Sequence, residues 1–165
     1  MLIKNVRLLA ELSGGCGTSC GAVRVKNGKI SEVSSEELQA MAGEEVFDAE
    51  GKTLLPGLID LHTHITLLSG VGEKSKNEPM QLLIDAAEQA KRYLKYGYTT
   101  IRDCGSYDRV ANYVRDMIDR GLCEGPNIIS CGNTLANSAS QKDGYLVDGE
   151  LGFTVGVRKE AAYGG

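Results

Sequence analysis

Two histidines, His62 and His64, are the only ones in a chain of 165 residues. They stand two positions apart in Leu58-Ile59-Asp60-Leu61-His62-Thr63-His64-Ile65, a run that reads as a β-strand. Side chains alternate faces along a strand, so both imidazoles project to one side, with Asp60 one step earlier on the same face. Two neutral imidazoles so placed can share a metal ion, each nitrogen about 2.0–2.1 Å from it. Asp60 either orients this strand and touches the ion through an intermediate group, or bonds to backbone at the strand end. An isolated H-x-H is more often a pair of strand histidines held by ordinary hydrogen bonds, so the weight falls on its surroundings.

Such a pair needs a strand that ends at the site. The pattern after His64 predicts a helix over 79–96, in which Met80, Leu83, Ile84, Ala87, Ala90 and Leu94 recur at three- and four-residue spacing as one apolar face. Asn77 or Glu78 is its expected cap, and Gly97 its left-handed end. A strand over 98–103, a helix over 107–120 with Val110, Val114, Met117 and Ile118 inward, and a strand over 127–131 follow. Residues 133–150 carry weak signals, with Asp143 and Asp148 reading as solvated loop. A further helix is expected over 155–163. Alternating strands and helices predict a parallel sheet. In such sheets functional groups gather at the carboxyl ends of strands, where both histidines fall.

Residues 1–55 have another rhythm, of short strands and tight turns. Asn27-Gly28 separates strand-like runs at 22–25 and 29–33 and predicts a hairpin, because both residues tolerate positive φ. Runs at 46–48 and 52–55 look like a second pair, turned at Glu50-Gly51. Helical composition predicts a short helix over 34–43. The boundary is expected near Leu55, ahead of Pro56-Gly57. Five cysteines, an odd number with no export signal, predict reduced thiols. Cys16 and Cys20 form C-x3-C without a second pair at zinc spacing, which reads as a flexible loop holding two thiols. Cys104, Cys123 and Cys131 sit among apolar residues and are expected to pack. Arg102 and Asp103 are expected to form a structural ion pair.

The run Pro56-Gly57-Leu58-Ile59-Asp60-Leu61-His62-Thr63-His64 resembles the signature of the amidohydrolase superfamily. There a turn leads into the first barrel strand, and H-x-H supplies two metal ligands. Residues 48–55 are similar to the strand before that signature. Gly97-Tyr98-Thr99-Thr100-Ile101-Arg102-Asp103 resembles the second barrel strand of the branch holding imidazolonepropionase-like and Xaa-Pro dipeptidase-like enzymes, and residues 125–132 resemble the third. The resemblance implies an α/β chain. A small, incomplete β-sandwich module over 1–55 would precede about three βα units of a (β/α)8 TIM-type barrel over 56–165. It implies a metal-dependent hydrolase of small-molecule amide-type C–N bonds, with one or two divalent ions, zinc foremost. His62 and His64 would be ligands, and Asp60 their neighbour. Such an ion lowers the pKa of bound water to about 7 and polarises a carbonyl.

The sequence departs from the family pattern after the third strand. Further ligands are a carboxylated Lys or a Glu on the fourth strand and His on the fifth and sixth; an Asp on the eighth helps activate water. No histidine follows His64. Residues 157–165 resemble the helix before the fourth strand, so Lys159 is not the ligand lysine, and the His-containing loop of many relatives has no counterpart over 132–144. About 110 residues after the boundary fall short of the ~250 of a complete barrel. A truncated chain with weak metal binding and little turnover is therefore expected, its general base lying past residue 165. Its open sheet edge would invite self-association or a complementing chain. The competing expectation is a non-catalytic binding or assembly module. A net charge of -4 and no basic block exclude nucleic acid as partner. No long apolar run predicts a membrane span, and the charged start, Met1 to Arg7, lacks a signal peptide's pattern, so the cytoplasm is the expected location.

Overall fold

The computed structural model describes residues 1–67, 78–137 and 145–164. The chain forms two compact units, Met1–Pro56 and Gly57–Gly165. The first is a single four-stranded sheet in the order β3-β2-β1-β4, built from β1 (Leu2–Leu8), β2 (Thr18–Lys26), β3 (Lys29–Ser34) and β4 (Val46–Asp48). One sheet, rather than the two of a sandwich, is present among the described residues. Asn27 and Gly28 turn the β2–β3 hairpin at φ 52° and 71°, the positive-φ pair that matches strand twist. Val6, Leu8, Val23 and Ala49 form the small core.

Two expectations for this unit fail. The segment 34–43 is not helical. Instead, the Arg24 guanidinium donates to the Gln39 carbonyl (2.8 Å) and to the Glu44 carboxylate (3.0 Å), and pairs with Glu32. These bonds from β2 hold the segment extended, and local helix preference yields to them. Nor do 46–48 and 52–55 pair with each other. Both run along β1 in the same direction, β4 through Leu2–Lys4 and Thr53 through a bridge to Arg7. The Glu50-Gly51 turn carries the chain past Asn5, whose side chain donates to Asp48 (2.8 Å).

The second unit alternates as the sequence predicts. β5 (Leu58–Thr63), α1 (Pro79–Lys95), β6 (Tyr98–Asp103), α2 (Val110–Asp119) and β7 (Asn127–Ser130) build a parallel sheet in the order β5-β6-β7. β8 (Leu135–Ala136) and β9 (Tyr145–Leu146) form a small parallel pair, and α3 (Gly149–Ala162) follows, six residues earlier in onset than expected. Among the described residues, β5 and β7 each pair on one side only. No helix among them is long and apolar enough to cross a membrane.

The core gathers Ile65, Leu82, Ala86, Ala90, Ile101, Val110, Ala111, Val114 and Ile128 between the sheet and the two helices. Pro79 starts α1 at a position where its missing N–H costs nothing. Glu78 precedes it without a side-chain cap, and Asn77 lies outside the described residues. Gly97 ends the helix at φ 89°, as expected. The buried stripe of α1 matches the expected one in part: Ala90 is buried and Leu83 and Ala87 pack against the core, but Leu82 and Ala86 join it while Met80 is 74% exposed and Ile84 56%.

Helix α2 is preceded by a short 3₁₀ turn, Tyr107–Arg109, in which Asp108 and Arg109 both take positive φ. This turn aims Arg109 at α3. Its guanidinium makes two parallel bonds of 2.9 Å to Glu160 and lies 4.0 Å from the Tyr163 ring. Asn133 adds its backbone N–H to the same carboxylate at 3.0 Å. Asp148 stands at the N-cap position of α3; Asp143 lies outside the described residues.

Candidate metal centre

His62 lies at the carboxyl end of β5 and His64 one residue past it. Sheet alternation turns Thr63 and Ile65 into the core, where both are buried, and leaves the imidazoles on the opposite face. Their ring centroids are 5.2 Å apart. The His64 Nδ1 lies 2.9 Å from the Gly105 carbonyl oxygen. A carbonyl only accepts, so Nδ1 carries the proton and Nε2 keeps its lone pair for a ligand.

Their ring planes stand edge-to-face, 73° apart, and two neutral imidazoles have the chemistry of metal ligands. The imidazoles alone fill half of a tetrahedral set. Among the described residues no cluster of three or more His, Cys, Asp or Glu side chains is arranged to hold a metal.

Asp60 does not reach across to its neighbours. Its carboxylate accepts the backbone N–H of His62 at 3.1 Å, a local bond two residues along the chain. Arg102 and Asp103 do not pair, contrary to expectation, because consecutive strand residues point to opposite faces. Arg102 is exposed and donates from Nε to the Leu61 carbonyl at 2.7 Å.

Asp103 is the residue that sequence reasoning undervalued. It is fully buried, and its carboxylate accepts the N–H of Ile65 at 2.8 Å and that of Gly105 at 3.1 Å. One bond fixes the residue after His64, and the other fixes the residue whose carbonyl holds the His64 ring. Burial pushes the Asp103 carboxyl above its ordinary range, against the pull of the two amides. The signal was present: Asp103 is in phase with the buried Ile101.

The loops around it are tied together. Cys104 N–H donates to the Thr63 carbonyl at 2.8 Å, and Tyr107 N–H to Thr66 Oγ1 at 3.2 Å. Gly105 sits at φ 139°, and a Cβ there would collide with Thr134 Oγ1, so glycine is required by both torsion and space. The cysteines also depart from expectation. Cys104 is half-buried and Cys131 accessible. Neither belongs to the core, and both line a cavity of about 400 Å³ with Asn133, Thr134, Leu135 and Glu160.

Comparison with known proteins gives relatives in sequence and in fold. The chain is 34% identical over 113 residues to adenine deaminase from Bacillus velezensis, a match covering 59% of this chain and 17% of that protein. It is 29% identical over 115 residues to imidazolonepropionase from Bacillus cytotoxicus, covering 53% and 27% respectively. The crystal structure of a Xaa-Pro dipeptidase with methionine in its active site matches 99% of this chain and 44% of its own, with a TM-score of 0.78 and 24% identity. No protein-family model matches. The chain thus spans 27% or less of the length of these two curated relatives.

Proposed function

Because this chain belongs to the amidohydrolase superfamily, we propose that it carries the first two metal ligands, His62 and His64, of a hydrolase acting on C–N bonds of small molecules. The observation that carries the reading is the bond from His64 Nδ1 to the Gly105 carbonyl at 2.9 Å. It prepares Nε2 for a metal at the carboxyl end of a parallel strand, where such sites form. A divalent ion bound there, zinc foremost, supplies an activated water and a Lewis acid.

The residues of this chain bind and orient. His62 and His64 donate the lone pairs, the Gly105 carbonyl fixes one ring, and Asp103 fixes the Gly105 backbone. Catalytic zinc takes about three protein ligands plus water. Two imidazoles therefore leave a ligand and the general base to groups beyond the described residues. The chain alone should bind metal weakly and turn over amide substrates slowly or not at all. That its substrate is a small amide, cyclic amide or dipeptide is supported by the relatives' own names.

Calorimetric titration of the purified chain with Zn²⁺ tests the site. We expect one ion per chain, with affinity reduced at least 10-fold by either His62→Ala or His64→Ala. Binding unchanged in both variants, or no binding by the unaltered chain, would overturn the reading.

A further inference from the structure

The row of residues just past the strand ends has a use beyond the imidazole pair. In the β6–β7 register Asp103 stands opposite Ser130. One step past this last pair come Cys104 and Cys131, and Cys131 N–H donates to the Asp103 carbonyl at 3.1 Å. Asp103 and Ser130 are buried toward the helices, so alternation turns both thiols to the other face. Neighbouring strands lie about 4.8 Å apart, inside the 4.4–6.8 Å Cα range over which two cysteines can be bridged. Both residues line the cavity described above, and Cys104 Sγ lies 3.8 Å from the Leu61 and Arg102 carbonyl oxygens.

We propose that Cys104 and Cys131 form a dithiol site that captures a thiophilic metalloid, of the class of monosubstituted trivalent arsenicals. Two thiols are a complete set for such a centre, which makes two bonds to sulfur, whereas tetrahedral zinc needs four ligands. The reaction is a condensation. Each As–OH of R–As(OH)₂ leaves as water with one thiol proton, two As–S bonds form, and no oxidation state changes. The cavity accommodates the R group beside Leu135. Soft thiolates select such a centre over the hard oxygen-ligated ions. The site needs neither histidine, although its thiols share the sheet face of the imidazoles.

The test is intact-mass spectrometry of the chain with one equivalent of phenylarsine oxide. Cys16 and Cys20 are a pair close in sequence, so the assay uses a Cys16→Ser, Cys20→Ser chain alongside the unaltered one. We expect both to take up one adduct, and Cys104→Ser or Cys131→Ser to cut occupancy at least 10-fold. Peptide mapping of the unaltered adduct requires no variant to fold, and should find arsenic joining the peptides of Cys104 and Cys131. No adduct, or an adduct mapped to Cys16 and Cys20, overturns the proposal. Loss of zinc binding by His62→Ala with arsenical capture intact would separate the two sites.

Discussion

Asp103 and Glu160 are both buried carboxylates of the βα unit, and they live in opposite surroundings. Glu160 faces a guanidinium in a two-bond fork, with Asn133 adding two more donors. Asp103 has two backbone amides and no cation among its hydrogen-bond partners. The consequence shows in their acidity: Glu160 is pulled below its ordinary range by Arg109 and Asn133 although burial opposes them, while burial lifts Asp103 above its own. The difference teaches what each is for. A carboxylate matched by a cation staples helix α3 to the turn before α2. A carboxylate left with neutral amides costs stability when ionised, and what it gains is placement of the loop that holds His64.

Four measurements break or sharpen this contrast. The largest effect is expected from Asp103→Ala, which orphans two N–H groups and should cost roughly 3–5 kcal/mol. Urea unfolding followed by circular dichroism would read it, and zinc affinity should fall with it. A loss under 1 kcal/mol would mean the amides find water instead. Next, Arg109→Ala leaves Glu160 to Asn133 alone and should cost about 1.5–3 kcal/mol, the worth of hydrogen bonds to a charged group. Metal affinity should not change, because this staple does not touch the His64 loop.

The third test is the sign of the pH dependence. Glu160, depressed from 4.5, gives stability present above that value and lost as pH falls through its lower folded value. Asp103, raised from 3.8, gives stability present below that value and lost as pH rises through its higher folded value. Glu160→Gln should therefore flatten the acid-side loss, and Asp103→Asn the loss on raising pH. The same sign in both variants would refute the comparison. The smallest effect is expected from exposed Arg102→Ala, which removes one bond to the Leu61 carbonyl and should cost about 0.5–1 kcal/mol.

Periodic and local features were legible in the sequence. The strand-helix alternation, the Asn27-Gly28 hairpin and the Gly97 helix end each depend on residues close in the chain, and each was found. Features decided by distant partners were not. The segment 34–43 has helical composition, yet Arg24 of β2 reaches across to Gln39 and Glu44. The apolar stripe of α1 was legible in part, since Leu83, Ala87 and Ala90 pack as expected while Leu82 and Ala86 complete the buried face. Within the candidate site, the side of the strand holding both imidazoles followed from alternation alone. The partner of His64 did not, because a backbone carbonyl 41 positions away leaves no mark in residue type. That Cys104 and Cys131 line one cavity was equally hidden, being a matter of tertiary placement.

That backbone partner makes the site tolerant of mutation in an unusual way. Where a ring is oriented by a side chain, one base change can delete the partner. Here the acceptor is the peptide group itself, which every residue type supplies. Substitution can therefore disturb the orientation of His64 only by bending the chain, and Gly105, held at a torsion other residues avoid, is where bending would start. Random variation across this loop should thus concentrate its damage at Gly105 and at Asp103, whose carboxylate holds the Gly105 backbone.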